Sequence, residues 1–180
     1  MYFDKPGREN TKQATELALK AAKTLGIGHI VIASNTGDSA NLLAGQGLNV
    51  VCVTHVNGFA EKGKNEMTPA AHGALTAAGV RVLTASHVLS GAERAISSKF
   101  GGAYPIEIMA HTLRMFGQGV KVCIEISVMA LDAGLIPYGE KIIAVGGTGR
   151  GADTALILTP SHAQYIFETR IHEIICKPEL

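Results

Sequence analysis

The sequence predicts an α/β protein: a three-layer, doubly wound, mostly parallel sheet. Three observations carry that reading. Short unbroken apolar runs rich in β-branched residues recur, at Ile30-Val31-Ile32-Ala33, Val50-Val51-Cys52-Val53 and Ile142-Ile143-Ala144-Val145. Runs without polar alternation read as strands buried on both faces. Stretches with apolar residues at helical spacing lie between them, the alternation of a parallel sheet covered on both sides. Clusters of Gly and small polar residues follow the strands, where open α/β sheets bind ligands.

In chain order, Glu9 to Leu25 reads as an amphipathic helix with Ala14, Leu17, Ala18, Ala21 and Leu25 on one face. Asn10 serves as its N-cap, with Gln13 reaching back, and Gly26 stops it. The first strand spans about 29–34, and a short helix, Ala40 to Ala44, follows. The second strand, about 50–54, completes a βαβ unit with a right-handed crossover. A charged loop, Glu61 to Glu66, precedes a helix opened by Thr68-Pro69 and ended at Gly79. The third strand spans about 80–84, followed by a weaker helix at Gly91 to Ser98. A further helix runs from Pro105 to Phe116. Val120, Ile124, Val128, Leu131 and Leu135 make the apolar stripe of a core helix, with Lys121, Glu125 and Asp132 on a neighbouring polar face. Strands at about 142–146 and 153–159 complete the sheet, the last antiparallel because only a loop joins the two. Arg170 to Cys176 is a final edge strand. The 180 residues form one domain.

Composition excludes several function classes. The net charge is +1, so no basic surplus argues for nucleic acid or an anionic membrane. Trp is absent and aromatics are 5%, which argues against base-stacking platforms. The apolar stretch from Val120 to Ile136 is broken by Lys121, Glu125 and Asp132 and does not read as a membrane span. Three isolated cysteines, two inside apolar runs, fit a reducing cytoplasm. No histidine, cysteine or carboxylate spacing makes a metal site, and no Walker A pattern occurs.

The first candidate site is the turn Ser34-Asn35-Thr36-Gly37-Asp38-Ser39. A strand, a small polar turn and a helix start bring several backbone N–H groups to one point, and the hydroxyls of Ser34, Thr36 and Ser39 add donors, which suits a phosphate. The same residue types cap helices, and the turn alone leaves capping the plainer reading. The second candidate is the loop Gly146-Gly147-Thr148-Gly149-Arg150-Gly151, where glycines permit close backbone approach and Arg150 can pair with phosphate. Its spacing is not that of a dinucleotide fingerprint, and a plain strand-to-strand connection also explains it. Thr54-His55-Val56-Asn57 and Ser86-His87 follow the second and third strands and form flanking walls. His55 and His87 read as hydrogen-bonded structural residues ahead of catalysts. Gly37-Asp38-Ser39 approximates a nucleophile elbow, without a placed triad.

In order and spacing the chain resembles the C-terminal α/β domain of pyruvate kinase. The matching segments are Ile30 to Ala40, Val50 to Thr54, Ala130 to Leu135, Gly139-Glu140, Ile142 to Val145, the loop Gly146 to Gly151, and Ala152 to Ile157. The resemblance covers roughly Ala14 to Thr159. It implies a stand-alone protein of archaeal type built on that domain, without the catalytic barrel and so without pyruvate kinase activity. In the kinases this domain holds a sugar bisphosphate effector, with a phosphate in the turn matching Ser34 to Ser39 and the loop matching Gly146 to Gly151 alongside. The family's usual basic residue after the turn's Gly is Asp38 here. Stand-alone members are associated with flavin mononucleotide (FMN), and a pocket poor in Lys and Arg suits its one phosphate. The expectation is a phosphorylated ligand, FMN first, its apolar part running toward Gly146–Gly151. A flavin-dependent oxidoreductase and a sugar-phosphate-sensing regulatory or interaction module are the alternatives, and a homo-oligomer is left open.

Overall fold

The computed structural model describes residues 1–179. Seven strands form one mixed sheet: β1 (Tyr2–Phe3), β2 (His29–Ala33), β3 (Asn49–Val53), β4 (Arg81–Leu83), β5 (Ile142–Gly146), β6 (Thr154–Thr159) and β7 (Arg170–Pro178). Their spatial order is β1-β7-β6-β5-β2-β3-β4. β5, β2, β3 and β4 run parallel. β6 lies antiparallel to β5, and β7 to β6. β7 is not an edge strand. The two-residue β1 pairs with it in parallel at Tyr2–Lys177 and Phe3–Pro178. So short a segment has no periodicity to read, and only its partner strand makes it a strand.

The described residues form six α-helices, α1 (Thr11–Leu25), α2 (Asp38–Asn41), α3 (Pro69–Ala77), α4 (Glu93–Phe100), α5 (Pro105–Arg114) and α6 (Gln118–Asp132); α5 packs on α6 and α4 on α5. Successive side chains of a strand point to opposite faces. Ile30, Ile32, Val50 and Cys52 therefore pack with Ala14 and Ala18 of α1 and Leu75 of α3. Val31, Val51 and Ala144 pack with Val120, Ile124 and Leu131 of α6. Both faces are buried, which is why these strands carry no polar alternation.

Two local expectations change. Asn10 does not cap α1: it has helical φ/ψ and its Nδ2–H donates to the Lys5 carbonyl at 2.7 Å. A 3₁₀ turn, Arg8–Asn10, precedes α1 instead. Gly26 does end α1, at φ 66°, in the left-handed region open to Gly. Lys121 and Glu125 lie inside the protein at 5% exposure each, whereas Asp132 on the same helix bonds His162 Nδ1 at 2.7 Å near the surface.

Candidate functional site

The parallel strands β2, β3 and β5 end on one side of the sheet, and there a cleft of about 1050 Å³ opens. It joins both turns singled out from the sequence. Ser34, Asn35, Thr36, Asp38 and Ser39 border it from β2, Thr54 and His55 from β3, His87 from beyond β4, and Gly147, Gly149, Arg150 and Gly151 from beyond β5. Gly37, Val56, Asn57, Ser86, Gly146 and Thr148 are outside its lining. Several of these six act in support. Gly37 turns the chain at φ 97°, where a Cβ would come within 3.0 Å of Leu75 Cδ1. The Val56 N–H donates to His87 Nε2 at 3.4 Å, and the Thr148 N–H to Asp153 Oδ2 at 3.1 Å.

The first turn does not use its side chains to cap α2. Gly37 is the residue before the helix, and no side chain accepts from its first turn. Among the described residues, the N–H groups of Asn35, Thr36, Gly37, Asp38 and Ser39 and the hydroxyls of Ser34 and Ser39 have no hydrogen-bond partner. The Thr36 hydroxyl is engaged: it donates to Asp38 Oδ2 at 3.0 Å. Ser39 makes no bond to a histidine, so the nucleophile elbow has no triad.

The second turn is organised by a residue the sequence reading passed over. Asp153 is fully buried. Its Oδ2 accepts from Gly7 N–H and Thr148 N–H, and its Oδ1 from Thr154 Oγ1 at 2.8 Å. This ties the N-terminal segment to the glycine loop. Ala152 N–H adds a bond to Thr11 Oγ1 at 3.0 Å. At Gly151 a Cβ would meet Thr11 Oγ1 at 2.4 Å and Arg8 Cα at 2.7 Å, so only Gly allows the two segments to touch. The consequence is that Arg8 and Lys12, far from the loop in sequence, join Arg150 at the cleft.

The opposite wall is aromatic. His55 Nδ1 lies 2.6 Å from Glu66 Oε2, which holds the ring proton there, and Asn35 Nδ2–H reaches Nε2 at 3.3 Å. The His55 N–H donates to Asn35 Oδ1 at 3.2 Å, so Asn35 links this wall to the first turn. Phe59 lies against the His55 ring with centroids 3.8 Å apart, and His87 sits 5.5 Å from both. Burial is the main force lowering His87 below its ordinary 6.5, opposed by Glu125 and aided by His55, Lys121 and Arg94. Folded His87 thus takes a proton less readily than the unfolded chain. Stability is therefore expected to fall as pH drops below about 6.5. Urea unfolding at pH 7.5 and 5.5 checks this; the acid loss should be smaller in His87→Gln, and equal losses in both proteins would refute it.

The floor comes from α6. Lys121 and Glu125, one turn apart, form a buried ion pair, and Glu125 Oε1 also accepts from Leu89 N–H at 3.0 Å. Burial pulls the Lys121 ammonium below its usual value, against the opposing charge of Glu125. Arg114 Nε–H donates to Gln118 Oε1 at 2.7 Å. Arg8, Lys12, Arg94, Arg114, Lys121 and Arg150 line the cleft, against Glu9, Asp38, Glu66 and Glu125. The expected shortage of Lys and Arg is therefore corrected: five of the six cations come from segments distant from both turns. Arg8, Arg94 and Arg150 have no carboxylate partner among the described residues. The glycine loop contributes backbone and a guanidinium, whereas the apolar lining includes Leu42, Val53, Phe59, Val122, Ile126 and Met129.

All three cysteines are buried and free. Burial raises the thiols, Cys52 to about 12 and Cys176 to about 11, which keeps them protonated and unreactive. No group of three or more His, Cys, Asp or Glu among the described residues is arranged to hold a metal ion. No helix among them is long and apolar enough to cross a membrane.

Comparison with known proteins gives one family. The model of the pyruvate kinase alpha/beta domain matches residues 12–158. Among solved structures, a Cryptosporidium parvum pyruvate kinase is 15% identical, with TM-score 0.41 over 82% of this chain and 22% of that one. The same organism's enzyme in complex with ADP is 16% identical, with TM-score 0.42 over the same shares. A third structure is 17% identical, with TM-score 0.38 over 79% of this chain and 21% of that one. The chain thus spans about a fifth of the kinases it matches.

Proposed function

From the premise that this chain belongs to the pyruvate kinase alpha/beta domain family, we propose that it binds a phosphorylated small molecule at the carboxyl edge of the sheet, FMN being the leading candidate. One observation carries the reading. The turn from Ser34 to Ser39 holds five backbone N–H groups and two hydroxyls with no partner among the described residues, in a cleft that Arg8 and Arg150 also line. Backbone donors and guanidinium groups are what a phosphate dianion needs. The cleft, about 1050 Å³, lies at the upper end of small-molecule sites and has room for a ring beside the phosphate. In this reading the protein works in a reducing cytoplasm. Its partner is the small molecule, neither nucleic acid nor membrane.

Calorimetric titration of FMN tests the phosphate position. A hydrogen bond to a charged partner is worth about 1.5–3 kcal/mol, so Ser39→Ala should weaken FMN binding roughly ten- to a hundredfold. Asp38→Asn should strengthen it, because a carboxylate beside the turn repels the phosphate. Gly37→Val should weaken it further, since φ 97° strains any residue with a side chain and its Cβ would press on Leu75 Cδ1 at 3.0 Å. Equal affinity in all four proteins would place the phosphate elsewhere.

A further inference from the structure

We infer that the cluster of Phe59, His55 and His87 is a stacking platform for a flat aromatic heterocycle, and that the ligand's ring lies there, away from the glycine loop. This rests on the phosphate reading above and adds to it the half of the ligand that the two turns do not address. Three observations converge. First, Phe59 is 50% exposed, yet it borders the cleft and lies against His55 with centroids 3.8 Å apart. A half-exposed Phe held against a neighbouring ring presents an apolar surface of fixed orientation, which is what a planar ligand stacks on. Second, the segment carrying it is pinned. Gly58 N–H donates to the Lys64 carbonyl at 2.8 Å, Phe59 N–H to the Val56 carbonyl at 3.1 Å, and Glu66 at its far end holds His55. Third, Asn35 joins the platform to the phosphate turn through both its amide oxygen and its nitrogen. Ring site and phosphate site are thus one side chain apart, a separation spanned by a sugar or sugar alcohol.

The charges refine the class of ring. Arg94 and the Lys121–Glu125 ion pair line the cleft near His87, which leaves Arg94 as the cation there without a carboxylate partner among the described residues, and the ring proton of His87 is on Nδ1, because Nε2 accepts from Val56. Donors and a guanidinium at the ring's edge favour carbonyl oxygens and unprotonated, acceptor ring nitrogens over an amino edge. An electron-poor, carbonyl-bearing ring also stacks best on an electron-rich Phe.

Three probes separate this inference from the reading it rests on: FMN, riboflavin with the ring and no phosphate, and ribose 5-phosphate with the phosphate and no ring. Phe59→Ala is expected to weaken FMN and riboflavin about tenfold, within the range of stacking losses on alanine substitution, and to leave ribose 5-phosphate unchanged. Phe59→Trp keeps the ring and should retain FMN. Ser39→Ala should weaken FMN and ribose 5-phosphate and leave riboflavin alone. The platform is overturned if Phe59→Ala leaves riboflavin and FMN unchanged, if it weakens ribose 5-phosphate as much as FMN, or if wild type binds neither flavin. A Ser39→Ala protein that binds FMN like wild type overturns the phosphate position instead, and the riboflavin titration then judges the platform by itself.

Discussion

Lys121→Ala is expected to cost about 3–5 kcal/mol of stability, because it leaves Glu125 as an uncompensated charge inside the protein. The pair sits on α6 at 6% and 7% side-chain exposure. Once Lys121 is gone, Glu125 keeps the Leu89 N–H as its one donor among the described residues. The effect belongs to the broken pair and not to the pair's own attraction. A double variant, Lys121→Met with Glu125→Gln, removes both charges, keeps an acceptor for Leu89, and should recover most of the loss. The exposed pair Lys12–Glu16, at 4.0 Å and 84% and 62% exposure, is the contrast. Lys12→Ala should cost no more than a few tenths of a kcal/mol. Urea midpoints at unchanged slope measure all three. A Lys121→Ala loss as small as that of Lys12→Ala would show that Glu125 finds water or a proton in place of its partner.

Gly119→Ala is the second large effect, and its sign runs against helix propensity. Gly119 lies in the first turn of α6, where Ala is intrinsically better by up to about 1 kcal/mol. A Cβ there would fall 2.0 Å from Thr154 Oγ1, 2.5 Å from Thr154 Cβ and 3.0 Å from Asp153 Oδ1. Turning the hydroxyl away does not clear the Cβ contact, so the helix itself must move off β6. Gly146 makes the same demand from the sheet, its would-be Cβ meeting the Gly119 carbonyl at 2.8 Å. Overpacking of this kind costs about 1–3 kcal/mol and outweighs the propensity gain. Because Gln118, Lys121 and Val122 line the cleft, the shift should also weaken ligand binding. Thermal unfolding of Gly119→Ala, alone and with Thr154→Gly, is the check. The double variant should regain stability, and a stabilised single variant would refute the close contact.

The parallel core of the sheet was legible because burial on both faces writes itself into composition. Ile30 to Ala33, Val50 to Val53 and Ile142 to Val145 are apolar at every position, and each became a strand within a residue of where it was expected. The antiparallel β6 followed from the shortness of its connection. The two turns were legible for a similar reason, since strand ends and small polar residues lie close in sequence. What lies between the turns was not. Arg8 reaches the cleft only because Asp153 accepts from Gly7 and Thr148 across 146 and 5 residues of chain. Phe59 lines it only because its loop folds back so that Glu66 can hold His55. Lys121 and Glu125 read as a polar stripe on a helix until other elements cover them. Local spacing records which face of an element is apolar. It carries no record of which distant segment closes over a polar face, because that depends on long-range hydrogen bonds and packing. The strands and turns therefore belong to the sequence by itself, and the charge and aromatic character of the cleft to the tertiary structure.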